Sequence, residues 1–216
     1  MKTIMQMLLT LCCIGLFSGG ALSLVNNWAA PKIAYNELQE KLAAIKEVVP
    51  GGGDSTPLDS LLTATEDSPL PDAFRVMDAE GKPLGWALTG AGNGFQGKIH
   101  LMVGLSNDLT ETLGLKVLKD TETPGLGTKI RDGAFPQQFY TIEEGHLQIG
   151  EGLYVVKRAR ENAREVEYIT GATISSKAVV DILNDIVPRL RDLLDDGNLL
   201  DASADATVNA EGEGDE

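Results

Sequence analysis

A long uncharged segment at the N-terminus constrains this chain more than any other feature of its sequence. No charged residue lies between Lys2 and Lys32, and the range Ile4–Val25 holds 22 mainly apolar residues. As a helix this range would be about 33 Å long at about 1.5 Å per residue, which suits the roughly 30 Å hydrocarbon core of a bilayer. Trp28 follows where a membrane interface would lie. The sequence therefore predicts a transmembrane anchor over residues 1–28.

A cleaved signal peptide is the competing interpretation of the same segment. Gly19 with Ala21, or Ala21 with Ser23, satisfies the small-x-small rule for a cleavage site. The apolar run is longer than the roughly 7–15 residues of a signal-peptide core, which favours a retained anchor. Under either interpretation the rest of the chain is expected to be exported.

Residues 29–73 are predicted to join the anchor to a folded domain. Apolar residues recur there at helical spacing, namely Tyr35, Leu38, Leu42, Ile45 and Val49. Pro50 and the glycines after it end this amphipathic helix, and residues 51–72 predict an irregular linker.

The spacing of apolar residues changes from Phe74 onward. A hairpin is predicted first, then two alternating strands, one with Ile99, Leu101 and Val103 on one face and one with Leu113, Leu115 and Val117. "VEYI" predicts a last strand, and a helix from Ile174 places Ala178, Ile182, Ile186 and Leu190 on one face, with Pro188 expected to kink or end it. Successive strands with helices at both ends predict an α+β domain over residues 74–194, with a mainly antiparallel sheet and flanking helices.

Charge and cysteine content exclude several classes of function. Of the formal net charge of -14, eight units come from the acids in residues 195–216, which contain no Lys or Arg and predict a disordered tail. An acidic chain repels phosphate backbones, so no nucleic-acid partner is expected. Cys12 and Cys13 are the only cysteines, and neither His100 nor His146 stands in a metal-ligand spacing, so no metal site is predicted.

Three glycine-containing segments are candidates for a functional site. "GNGFQG" (residues 92–97) fits G-x-G-x-x-G, but a strand pattern follows it instead of a helix, so a tight loop against another segment is predicted. "TPGLG" (residues 123–127) is either a turn or a loop that presses Leu126 and bare backbone against a flat ligand.

"TGATISS" (residues 170–176) stands at the predicted start of the last helix. A helix N-terminus favours a phosphate, because it carries unpaired N–H groups and the positive end of the dipole. Thr173 would hold a free hydroxyl at this entry, and Ser175 and Ser176 could cap the helix or donate to phosphate oxygens. The alternative is that Thr173 simply caps the helix.

These segments together resemble a known family. "TGAT" resembles the [S/T]-G-A-T motif of FMN-binding domains, in which the second threonine is esterified to the phosphate of FMN. "ETPGLGTKI" and "GNGFQGKIHLMVGLSND" resemble segments of the G subunit of the Rnf electron-transport complex and of the related C subunit of the sodium-translocating NADH:quinone reductase. The order of the segments and the single anchor agree, and the resemblance extends to about residue 194.

The resemblance implies roles for particular residues. Thr173 matches the threonine that bears FMN, while Thr170, Gly171 and Ala172 match the rest of the recognition turn. Ser175 stands where the family often has threonine. The loop that lies against the flavin corresponds to Thr123, Gly125, Leu126 and Gly127. The chain departs from the family at Glu167, where an aspartate is usual six residues before the modified threonine.

The implied function is electron transfer within a membrane ion-translocating complex of the ferredoxin:NAD⁺ class. The chain would be a redox subunit of a translocase and not a stand-alone enzyme, with the other Rnf subunits as partners and a flavin transferase for maturation. Its soluble domain would lie on the periplasmic or extracytoplasmic side of a bacterial inner membrane that a single helix crosses. The alternatives are an FMN carrier of another respiratory chain, such as the quinone-reductase C subunit, and an exported non-redox scaffold.

Overall fold

The computed structural model describes residues 2–57, 72–140 and 146–196. In chain order the elements are α1 (Lys2–Val48), β1 (Ser55–Pro57), β2 (Ala73–Met77), β3 (Pro83–Asn93), β4 (Lys98–Ser106), β5 (Thr112–Lys119), a 3-10 helix (Gly127–Ile130), α2 (Ala134–Gln137), β6 (Tyr154–Val156), β7 (Glu165–Glu167) and α3 (Thr173–Asp196). The chain forms two compact units, of which the first ends at Leu42 and the second begins at Ala43.

The N-terminal unit consists of one uninterrupted helix. Its apolar part is long and apolar enough to cross a membrane by length and composition. The amino group of Lys32 lies 3.6 Å from the centroid of the Trp28 ring, a cation–π contact at the end of the apolar run. The helix continues through Pro31, so the predicted anchor and the predicted amphipathic helix form one element without a turn between them.

The larger unit is built on a five-stranded antiparallel sheet in the order β1-β2-β3-β4-β5. The prediction of an irregular linker is wrong for residues 55–57, which form the edge strand β1 against β2. Pro57 is tolerated there because an edge strand has one side without ladder bonds. Residues 58–71 of the predicted linker, and residues 197–216 of the predicted acidic tail, lie outside the described residues.

One face of the sheet packs against α3. Ile99, Leu101 and Val103 of β4 are fully buried there, as the alternation predicts, in a core that also contains Ala178, Ile182 and Leu190. The approach of α3 is close, because a Cβ at Gly90 would come within 2.6 Å of Ile186 Cδ1. α3 also continues to Asp196, so it does not end at Pro188.

The other face of the sheet packs against the last turns of α1. Ala44, Ile45 and Val48 form a second apolar cluster with Val76, Ala87 and Met102, joined at its edge by Leu113. The expectation that Leu113 shares a face with Leu115 and Val117 is therefore wrong. The pairing of β4 with β5 shifts register between Gly104 and Leu105, and this irregularity turns Leu113 to the opposite side.

The last strand predicted from "VEYI" is present as β7, at Glu165–Glu167. β7 pairs in parallel with β6 in a separate two-stranded sheet. The domain is therefore α+β with a mainly antiparallel sheet, as predicted, and β7 leads directly into the turn that starts α3.

Candidate functional site

The three segments singled out in the sequence meet at one cleft in the larger unit. The cleft has a volume of about 300 Å³ and is lined by Phe95, by residues 122, 123, 126 and 127, and by residues 171–175. "GNGFQG", "TPGLG" and "TGATISS" each supply part of this wall, although up to about eighty residues of sequence separate them.

The turn before α3 holds a fixed shape through Gly171 and Ser176. Gly171 has φ +85°, a left-handed conformation that side chains with a Cβ disfavour. The N–H of Ala172 donates to the carbonyl oxygen of Ile169 at 2.9 Å. The Ser176 hydroxyl accepts from the N–H of Ile169 at 3.1 Å and donates to the carbonyl oxygen of Ala172 at 3.0 Å. Ser176, and not Thr173, therefore ties the helix start to the preceding turn.

Thr173 is the first residue of α3 and is exposed to solvent. Within the described part of the chain its hydroxyl makes no hydrogen bond, whereas a capping threonine would accept one from an N–H of the first helical turn. The N–H groups of the first turn of a helix have no intrahelical acceptor. At residues 173–175 no described side chain accepts a hydrogen bond from them. A free hydroxyl and free N–H donors thus stand together at the positive end of the α3 dipole.

The loop at residues 123–127 presents Leu126 to the cleft. The N–H groups of Leu126 and Thr128 donate to the carbonyl oxygen of Thr123 at 3.2 and 3.3 Å, and the N–H of Gly125 donates to Thr128 Oγ1 at 3.0 Å. Leu126 remains 46% exposed in spite of this ordered turn. Its side chain reaches the TGAT turn, since a Cβ at Gly171 would lie 3.3 Å from Leu126 Cδ2.

Glu122 belongs to this site, although the sequence did not single it out. Its carboxylate is buried, with 4% of the residue exposed. Oε1 accepts from the N–H of Phe95 at 2.8 Å and of Gln96 at 3.2 Å, and Oε2 accepts from Ser175 Oγ at 2.6 Å. Phe95 was also missed, and its ring is 61% exposed at the tip of the β3–β4 hairpin. The only sequence signal for Glu122 was its place as the first letter of "ETPGLG".

"GNGFQG" is the tight loop against another segment that the sequence predicts. It closes the hairpin between β3 and β4, with a 2.7 Å bond from the N–H of Gly94 to the carbonyl oxygen of Gly97. A Cβ at Gly94 would collide with the Glu122 carboxylate, and one at Gly97 with the Thr121 hydroxyl. A strand follows the loop, so the dinucleotide-binding interpretation of this G-x-G-x-x-G is excluded.

Ser175 and Thr170, two further predicted site residues, do not both face the cleft. Ser175 is buried and its hydroxyl donates a hydrogen bond to Glu122, so it joins α3 to the loop instead of pointing a free hydroxyl into the cleft. Thr170 lines a different and larger cavity of about 860 Å³ on the other side of the turn. That cavity is also lined by Glu167, whose backbone exchanges two hydrogen bonds with the Gln138 amide.

The 300 Å³ cleft has the polar and apolar groups that an FMN site needs. Within the described residues the Thr173 hydroxyl has no partner, and the adjacent N–H groups can donate to phosphate oxygens. The exposed side chains around it are apolar, with Leu126 46%, Ile174 56% and Phe95 61% exposed, as a flat aromatic ring system requires of its walls. The wall has no room for a side chain at Gly127, since a Cβ there would meet Glu122 Oε2 at 2.6 Å and Ser175 Oγ at 2.9 Å.

Comparison with known proteins points in the same direction. Residues 94–187 match the FMN-binding domain family. The G subunit of the ion-translocating oxidoreductase complex of Vibrio cholerae is 30% identical over 178 residues, covering 80% of this chain and 83% of that protein. The G subunit of the Na(+)-translocating ferredoxin:NAD(+) oxidoreductase complex of Acetobacterium woodii is 29% identical over 192 residues, covering 85% of this chain and 89% of that protein.

A solved structure shares the fold. The crystal structure of NqrC from Shewanella oneidensis superposes with a TM-score of 0.51, covering 76% of this chain and 74% of that one at 22% sequence identity. At this level of identity the likeness concerns the fold alone.

Proposed function

We propose, from the premise that this chain belongs to the G-subunit family of ion-translocating oxidoreductase complexes, that it carries FMN on Thr173 and transfers electrons within such a complex. The link is a phosphoester between Thr173 Oγ1 and the flavin phosphate. The observation that carries the proposal is the exposed, unpartnered Thr173 hydroxyl at the free N-terminus of α3, beside the apolar wall of Leu126.

Different residues of the cleft would bind different parts of the cofactor. FMN supplies transfer of one or two electrons when bound, and the protein supplies binding and electrostatics. Thr173 would hold the phosphate end, with the N–H groups of Thr173, Ile174 and Ser175 as donors to its oxygens. Leu126, which lines the cleft, would shield the ring system from water. A covalent link keeps the cofactor on an exported protein, outside the compartment where free FMN is made.

The partners follow from the family. Relatives are named as subunits of ion-translocating complexes, including one of the ferredoxin:NAD(+) class, and we assign this chain to the same class. The apolar N-terminal helix is then the anchor in a bacterial inner membrane, with the cleft on the periplasmic or extracytoplasmic side. A flavin transferase would form the ester by transferring the FMN phosphoryl group from an activated flavin nucleotide to Thr173 Oγ1: the O–P bond forms as the bond from phosphorus to the donor's leaving group breaks, and the hydroxyl proton is released. The product has the mass of protein plus FMN minus one water.

Substitutions at Thr173 test the attachment. Full-length protein co-produced with a flavin transferase should gain the mass of FMN minus water and fluoresce in a denaturing gel. Thr173→Val keeps the shape of the side chain without the hydroxyl, so covalent flavin should be lost entirely. Because the Thr173 hydroxyl makes no hydrogen bond to any described residue, the free energy of unfolding of Thr173→Val should differ from that of wild type by no more than about 0.5 kcal/mol.

Matched variants separate Thr173 from neighbouring hydroxyls. Thr173→Ser should retain some covalent flavin. Thr170→Val should lower modification without abolishing it, since Thr170 faces the other cavity. A flavin peptide mapped to Thr170 or Ser175 would contradict the assignment to Thr173. Wild-type protein that stays colourless after co-production with the transferase would instead favour the non-redox scaffold.

A further inference from the structure

The Glu122 carboxylate joins three parts of the cleft that are distant in the sequence. It accepts hydrogen bonds from the N–H groups of residues 95 and 96 at the hairpin tip and from the Ser175 hydroxyl of α3. Glu122 itself directly precedes the loop that contains Leu126. These bonds connect residues separated by 27, 26 and 53 positions. Within the described residues Glu122 takes part in no ion pair, so N–H and O–H donors alone compensate its burial.

Neighbouring glycines leave space that this carboxylate fills. A Cβ at Gly127 would come within 2.6 Å of Glu122 Oε2, and a Cβ at Gly94 would also collide with the carboxylate. Burial of a carboxylate is unfavourable unless its oxygens receive hydrogen bonds, and here both do. The hairpin, the loop and the helix start are therefore packed around Glu122 itself.

The geometry points to Glu122 as a positioning residue for the flavin, an inference that rests on the proposed function. Leu126 lies four residues after Glu122, and Thr173 lies two residues before Ser175. The 2.6 Å bond from Ser175 Oγ to Glu122 Oε2 thus sets the separation of the apolar wall from the attachment hydroxyl. The bonds to Phe95 and Gln96 set the place of the hairpin tip on the same cleft. Glu122 touches no reacting atom and acts through these segments.

Removing the carboxylate should loosen the flavin without removing its attachment chemistry. Full-length Glu122→Ala, co-produced with a flavin transferase, should still carry covalent flavin by intact mass. Its flavin should lose most of its induced visible circular dichroism and become several-fold more accessible to iodide quenching. Truncation leaves the N–H groups of Phe95 and Gln96 and the Ser175 hydroxyl without their buried acceptor, so the wall and the hairpin tip shift.

Glu122→Gln is the rescue variant and Glu80→Ala is the control. The glutamine oxygen can accept from Phe95 and Gln96 while its amide donates to Ser175, so the dichroism and the quenching should return close to wild type. Glu80 is exposed in the turn between β2 and β3, and its removal should change neither. A loss of dichroism in Glu122→Ala that Glu122→Gln restores supports positioning. A loss that Glu122→Gln does not restore overturns it, because the charge and not the placement would then matter.

Two further results keep this inference separate from the proposed function. If Glu122→Ala shows the same dichroism and quenching as Glu80→Ala, the positioning role is overturned, while the attachment to Thr173 still stands. If Glu122→Ala does not fold, Ser175→Ala removes only the link to α3, and a wild-type dichroism in that variant overturns the inference. Wild-type protein without covalent flavin would instead contradict the proposed function.

Discussion

Gly171 holds the TGAT turn in a conformation that few other residues adopt. Its φ is +85°, and an added Cβ would lie 3.3 Å from Leu126 Cδ2. Gly171→Ala should therefore lower the free energy of unfolding by about 1–2 kcal/mol. The added Cβ should also crowd Leu126 and so distort the turn that carries Thr173, which reduces covalent flavin per folded molecule. Urea unfolding and intact mass measure the two effects.

Gly81→Ala is the matched control for this substitution. Gly81 also has a positive φ, of +79°, but nothing lies within 4 Å of the added Cβ. It should lose comparable stability and keep a full content of covalent flavin. Equal flavin contents in the two variants would contradict the idea that space beside Leu126 matters at Gly171.

Single residues also show where reasoning from sequence succeeds and where it fails. The free hydroxyl of Thr173 and the exposure of Leu126 follow from local patterns, a small-residue turn before a helix and a Pro-Gly loop. Glu122 was missed because its three bonds reach 26 to 53 residues away, and no local pattern records such contacts. Ser175 was placed on the correct helix turn, but its partner is Glu122.

Among the elements, predictions failed where one residue shifts a regular pattern. Strict alternation puts Leu113 with Leu115, whereas the irregular pairing near Gly104 turns Leu113 to the other face. The expectation that Pro188 could end α3 is wrong, since the helix continues through it, as α1 continues through Pro31. A proline removes one intrahelical bond, and the helix formers and buried contacts around Pro188 sustain α3.

The strand β7 is held at its start by the carboxylate of Glu165. This side chain accepts from the N–H of Glu161 at 2.8 Å, from the Arg158 guanidinium at 3.0 Å, and from the Tyr154 hydroxyl at 3.2 Å. The Glu161 N–H first, and then Arg158 and Tyr154, hold the pKa of Glu165 below its ordinary value, against the opposing effect of burial. β7 leads into the TGAT turn, so its stability bears on the site.

The lowered pKa of Glu165 predicts a loss of stability in acid. A carboxyl with a depressed folded-state pKa stabilises the fold above the ordinary glutamate pKa of about 4.3, and this contribution disappears as pH falls through the lower folded value. Glu165→Gln should be less stable at neutral pH but should lose less on acidification. Urea unfolding between about pH 7 and pH 3 measures this. Glu151→Gln, whose ion pair with Arg164 is exposed, should keep the wild-type slope.

At the scale of the whole molecule, the sequence predicts the α+β fold class, and the compact unit that carries the sheet extends further towards the N-terminus than the predicted domain. The second compact unit begins at Ala43, well before the predicted start at residue 74. Ile45 and Val48 are buried against the sheet, and β1 adds an edge strand. The helical spacing in the sequence showed that this helix has one apolar face. It did not reveal that a sheet covers that face, because this requires knowledge of the tertiary structure.

The apolar N-terminal helix predicts that the protein remains in the membrane. The mature protein should keep its N-terminus and stay in the pellet after alkaline extraction, with the domain open to protease only from the extracytoplasmic side. Ile14 lies near the middle of the apolar range Ile4–Val25, and Ile14→Arg should weaken insertion because a charge at the bilayer centre costs about 2.5–3.5 kcal/mol. Asn36→Arg lies beyond this range and should insert normally. A mature chain that begins near Leu22 or Leu24 would show cleavage instead, and the protein would then need a partner to stay at the membrane.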